Sequence, residues 1–173
     1  MTTLKIEKGL FFVEENGNYV IPAMNENTNG DISFEELISP YLQKEMIGDY
    51  EIVARFEPVN MSLGDSYGIY IYSGENHVYL SFNETAYGRK IKTGVVDFME
   101  AEYPSVKVDC DTLYLKIAKS DDIYETLYSP DGIEFVSCGK ISMESDIVTR
   151  AGFKVDSFQG SKFYVKLSDI KVE

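Results

Sequence analysis

The chain has no tryptophan and a single histidine, His77, in 173 residues. A lone imidazole excludes metal centres built on several histidines. It also excludes a Ser-His-Asp or Cys-His arrangement unless His77 itself serves in it. The two cysteines, Cys110 and Cys138, are too few for a disulfide framework and are expected to be reduced and partly buried. Basic residues are scarce: 16 Lys and Arg stand against 29 Asp and Glu, a net charge of -13. That balance argues against nucleic acid and anionic membrane surfaces as partners, because no cation excess is left for phosphates. No apolar run approaches the ~20 residues of a membrane span. Residues 1–9 lack the apolar run of a secretory signal, so a cytoplasmic location is expected. Long helical periodicity is absent too. Only residues 33–45 have room for a turn or two of helix, and Pro40 interrupts them.

What the chain has is period-2 alternation from residue 48 to the end, the pattern of half-buried strands. Ile52, Ala54 and Phe56 share one side of a strand. Ile69 and Ile71 face in, with Tyr70 and Tyr72 facing out. After the turn Ser73-Gly74-Glu75-Asn76, Val78, Leu80 and Phe82 face in, with His77, Tyr79 and Ser81 facing out. A second hairpin puts Leu113, Leu115, Ile117, Ile123 and Leu127 inside. Tyr114, Lys116, Tyr124, Thr126 and Tyr128 then point outwards. Ser129-Pro130-Asp131-Gly132 reads as a turn, followed by a short strand over residues 133–136. Residues 97–111 read as a long acidic connection. The last two strands bury Ala151, Phe153 and Val155, then Phe163, Val165 and Leu167. Short alternating strands with frequent turns predict an all-β fold, an antiparallel β-sandwich, in one domain over residues 1–173.

Three segments carry a family likeness: Gly48-Asp49-Tyr50-Glu51-Ile52, the pair Tyr67-Gly68-Ile69-Tyr70-Ile71-Tyr72 and His77-Val78-Tyr79-Leu80, and Leu113-Tyr114-Leu115-Lys116-Ile117 with Tyr128-Ser129-Pro130-Asp131-Gly132-Ile133-Glu134-Phe135. Over roughly residues 48–173 the chain resembles the concanavalin-like jelly-roll domains at the C-terminal end of glycoside hydrolase family 43 β-xylosidases. It also resembles the domain-of-unknown-function family 1349. Phe135 stands where those domains usually carry a tryptophan near the turn. The resemblance implies a jelly roll with an accessory, carbohydrate-associated role and no catalytic residues of its own. A xylan-type oligosaccharide is the ligand it suggests.

The sequence carries no catalytic motif, and no cofactor is expected. Among the acids, Glu51, Glu57 and Glu125 fall within strands, where a solvated face accounts for them. Residues 25–36 place oxygen side chains in the spacing of a calcium loop, with Asn25, Asn27, Asn29, Asp31 and Glu36 at ligand positions and Gly30 at the turn. Asn25 in place of Asp, and no incoming helix after Tyr19-Val20-Ile21-Pro22, favour a plain Asn/Gly-rich loop. The candidate ligand surface is therefore the tyrosine-rich outer face: Tyr70, Tyr72, His77 and Tyr79 from one hairpin, Tyr114, Lys116, Tyr124 and Tyr128 from the other. Arg55, Lys154 and Lys166 share the outward parity. Aromatic rings set among polar side chains suit a sugar. The same face would also suit a homodimer interface, and a stand-alone glycosidase ranks last. The sugar site holds together only if both hairpins lie on one sheet.

Overall fold

A computed structural model describes the backbone of residues 2–6, 9–13, 19–25, 43–157 and 162–173, and the side chains of 19–23, 45–157 and 162–173. The calcium-loop pattern lies outside the described residues save for the backbone of Asn25. So does the candidate helical stretch before residue 43, after which the chain is already extended.

The described residues form two sheets. The first runs in the order β1 (Thr2–Ile6), β2 (Gly9–Val13), β3 (Tyr19–Pro22), β16 (Tyr164–Val172), β6 (Tyr50–Val59), β12 (Leu113–Ser120), β13 (Ile123–Ser129), β14 (Val136–Ser142). The second runs β10 (Met99–Glu102), β9 (Gly88–Asp97), β8 (Asn76–Thr85), β7 (Ser66–Ser73), β15 (Val148–Ser157), β4 (Met24–Asn25). Two short strands share its margins: β11 (Val106–Lys107) beside β9, and β5 (Gln43–Ile47) beside β15. The pairings are antiparallel apart from a two-residue parallel contact of β4 with β15. This is the antiparallel β-sandwich that the alternation predicts.

Alternation places the core correctly in most strands. Ile52, Ala54 and Phe56 from β6, Leu113, Leu115 and Ile117 from β12, and Val165 and Leu167 from β16 face Ile69, Ile71, Val78, Leu80, Phe82, Phe153 and Val155 of the other sheet, all buried. At the centre, the Tyr67 ring lies between Phe56 and Phe82, 4.9 Å from each ring centre, and Phe153 meets Phe56 edge-on at 5.7 Å.

The second hairpin departs from the expected parity. Ser120 pairs with Ile123 across a two-residue turn in which Asp121 takes φ +51°. That turn length fixes the register, and a shift of one residue exchanges every side chain between faces. Tyr124 therefore pairs with Lys119 and is fully buried, Thr126 pairs with Ile117, and Tyr128 pairs with Leu115 and packs on the core. Ile123 is left exposed, and Leu127 pairs with the outward Lys116. The supposed acidic connection contains β10 and β11. The strand expected at residues 133–136 begins instead at Val136, because the turn before it is longer. There the Asp131 carboxylate accepts from the backbone N–H groups of Ile133 and Glu134 and from the Ser129 hydroxyl. Gly132 sits at φ +78° beneath the Tyr114 ring. Cys110 and Cys138 are half-buried and unlinked, and burial raises the Cys138 thiol to about 11.

Candidate functional site

The two tyrosine-bearing hairpins lie on different sheets: β7–β8 in the second, β12–β13 in the first. The outward-facing tyrosines therefore form no single surface. Tyr124 and Tyr128 leave the site altogether, turned inwards by the register of their turn. Tyr114, Lys116 and Arg55 line the outer face of the first sheet. There Tyr114 donates to Asp169 at 2.7 Å, and Lys116 lies 3.3 Å from Glu51 and 5.0 Å from the Phe135 ring centre. Arg55 pairs with Glu57 at 3.3 Å.

Tyr70, Tyr72, His77 and Tyr79 do come together, on the outer face of the second sheet. Cross-strand register builds this face row by row. One row runs Glu100, Val96, His77, Tyr72, Arg150; the next runs Glu102, Gly94, Tyr79, Tyr70, Gly152. Beyond them come Lys92, Ser81, Gly68, Lys154, then Lys90, Asn83, Ser66, Asp156. Such directly opposed positions are neighbours on one sheet face. The rings form a continuous patch: Tyr72 and His77 at 4.7 Å between centres, Tyr70 at 6.2 Å from Tyr79 and 6.4 Å from Tyr72.

Gly94 makes room on this face. A Cβ on Gly94 would come within 2.7 Å of the Tyr79 ring carbon Cζ and of the Ala101 carbonyl, so the missing side chain lets Tyr79 lie over β9. From there Tyr79 donates to Glu100 Oε1 at 2.7 Å. The result is a hollow of about 540 Å³ over Tyr70 and Tyr79, walled by Glu100 and Glu102 from β10 and by Lys154 and Asp156 from β15. The first sheet's face carries a smaller hollow, about 390 Å³, beside Tyr114 and Phe135.

Four of the five charges in the larger hollow form two ion pairs, and the fifth, Glu100, accepts from Tyr79. Lys154 lies 3.2 Å from Asp156 and 5.2 Å from the Tyr70 ring centre, and Lys92 lies 3.9 Å from Glu102. Burial, reinforced by Lys154, lowers His77 to about 4 against the weaker pull of Glu100, so the imidazole is neutral at physiological pH. Burial raises Tyr72 and Tyr79 above the ordinary phenol range, and for Tyr79 the bond to Glu100 adds to it. These tyrosines therefore keep their protons and act as hydrogen-bond donors. The hollow offers the half-buried Tyr70 ring, the hydroxyls of Ser66 and Ser81, an amide at Asn83 and charge that is compensated except at Glu100: equipment for holding a polar, uncharged ligand. Among the described residues, no group of three or more His, Cys, Asp and Glu is placed to hold a metal ion.

The alternation located Tyr70, Tyr72, His77 and Tyr79 but missed Glu100, Glu102, Lys92 and Asp156. Their signal was present: outward-parity glycines at 68, 94 and 152 mark one face, and residues 99–102 continue the alternation beyond residue 97.

No family model matches the chain, and no curated protein matches it. Solved structures do. The chain overlays on a functionally unknown protein from Saccharomyces cerevisiae with a TM-score of 0.80 at 12% identity, covering 99% of this chain and 95% of that one. It overlays on the GH43 BlXynB protein from Bacillus licheniformis with a TM-score of 0.73 at 14% identity, covering 90% of this chain and 32% of the other, so it spans about a third of that enzyme's length. It overlays on the carbohydrate-binding module CBM66 from Bacillus subtilis with a TM-score of 0.55 at 9% identity, covering 99% and 91%. At these identities the likeness is one of fold.

Proposed function

We propose that the chain is a non-catalytic carbohydrate-binding module, and that a neutral, xylan-type oligosaccharide lies in the hollow of the second sheet over Tyr70 and Tyr79. The carrying observation is the hollow itself: aromatic rings at Tyr70, His77 and Tyr79, walled by the hydroxyls of Ser66 and Ser81 and by charged side chains most of which are paired. Sugar rings present apolar C–H faces that aromatic rings cover, while their hydroxyls need fixed donors and acceptors. The one charge without a cation partner in the hollow is the Glu100 carboxylate, so a uronate or phosphate gains no advantage there. The sandwich shared with CBM66 and with part of a GH43 protein supports the reading, as does the resemblance of the sequence to the accessory domains of family 43 β-xylosidases.

Calorimetric titration with xylohexaose tests it. The protein is expected to bind, and Tyr70→Ala to weaken binding about tenfold, equivalent to ~1.4 kcal/mol. Tyr114→Ala, on the other sheet, is expected to bind like the unmodified protein. No heat of binding, or a Tyr70→Ala isotherm matching the parent, would sink the reading.

A further inference from the structure

One residue beside the hollow is poorly suited to its place. Phe98 alone links β9 to β10, at φ +61°, and its side chain is 101% exposed. Positive φ is disfavoured for a bulky L-residue, and glycine or asparagine would hold the link with less strain. A phenyl ring wholly in water adds nothing to the core. Both the backbone and the side chain at this position therefore oppose the choice of phenylalanine on grounds of stability, and strained, exposed residues of this kind gather at binding sites.

Its surroundings say what the ring serves. Its near neighbours along the chain, Val96 and Glu100, face each other across the β9–β10 ladder and both line the hollow. Phe98 stands at the tip of the β9–β10 hairpin, two residues past Val96 along the strand and one row beyond that of His77 and Tyr72. Tyr70 is three strand spacings from β10, and Phe98 is four residues along the strand from Gly94 in the Tyr70 row, a separation of roughly 19 Å. A ligand chain seated on Tyr70 and Tyr79 and running diagonally across the strands passes Val96 and leaves the hollow towards Phe98.

We propose that Phe98 is a ligand-binding residue at the rim of this hollow, an aromatic platform that takes the far sugar units of a neutral oligosaccharide and so makes the site select for chain length. The proposal rests on the reading of the hollow as a sugar site. Phe98→Gly separates function from stability, because glycine relieves the positive φ while removing the ring. The midpoint of thermal unfolding is expected to hold or rise. Xylohexaose affinity is expected to fall about five- to tenfold, with xylobiose affinity unchanged, and Phe98→Trp is expected to keep xylohexaose binding. If the unmodified protein binds xylohexaose and Phe98→Gly binds it equally well, this inference fails and the hollow stands. A fall of xylobiose and xylohexaose affinity by the same factor also overturns it, since the ring would then not be serving the distant units. Absence of xylohexaose binding to the unmodified protein overturns both.

Discussion

Gly68→Ala is expected to prevent the protein from reaching its native fold, or to destabilise it by at least ~3 kcal/mol. The reason is backbone, not side chain. A Cβ on Gly68 would overlap the carbonyl oxygen of Leu80 and stand 2.8 Å from the Ser81 Cα, and neither can swing aside as a side chain can. To make room, β8 must move away from β7 where Gly68 pairs with Ser81. That ladder also carries Tyr70 opposite Tyr79 and Ile69 opposite Leu80, so the shift would disturb the hollow and the core together. Urea unfolding, or the soluble yield where the variant does not fold, measures it. A Gly68→Ala protein of parental stability would show that the strands are not this close.

Tyr67→Ala is expected to cost about 3–5 kcal/mol, the range for deleting a large buried aromatic side chain. Tyr67 is 1% exposed and fills the space between Phe56 and Phe82 at the centre of the sandwich. Its hydroxyl donates to the Asp111 carbonyl at 2.6 Å, and burial holds its proton well above the usual phenol range. Removing the ring opens a cavity between two aromatic faces that neighbouring strands hold apart. Tyr67→Phe is expected to lose only about 1 kcal/mol, because the ring stays and one hydrogen bond goes. Thermal or urea unfolding of the two variants separates packing from hydrogen bonding. Similar losses in both would place the stabilisation in the hydroxyl instead.

The sequence carried the sandwich because burial in a two-layer fold writes itself as alternation. Ile52, Ala54 and Phe56, or Val78, Leu80 and Phe82, need no neighbour to declare which side they bury. Tyr124 shows where that logic fails. Its strand alternates equally well in either phase, and the phase is set by a two-residue turn at Asp121 and Asp122 that pins Ser120 opposite Ile123. Ile123 then spends its apolar surface in water while a tyrosine fills the core, with its hydroxyl bonded to Ser145. Reading Ile and Leu as inward was sound chemistry applied in the wrong register.

The candidate site was half legible for a related reason. Tyr70, Tyr72, His77 and Tyr79 belong to one hairpin, so sequence neighbours are also neighbours in space. The walls come from β9, β10 and β15, whose places beside that hairpin depend on long-range strand order. The depth of the hollow depends on what is missing: Gly94 makes room for Tyr79 by having no side chain. Sheet order also decides that Tyr114 and Lys116, equally outward in the sequence, belong to another surface with its own hydrogen bond to Asp169.

Amide chemical-shift mapping during a xylohexaose titration shows whether the outer face of the second sheet holds the ligand. Saturable shifts are expected to cluster on Tyr70, Tyr79, Ser81, Glu100 and Lys154, with little change at Tyr114, Lys116 and Asp169. Shifts confined to the Tyr114 face, or none at saturating xylohexaose, would contradict it.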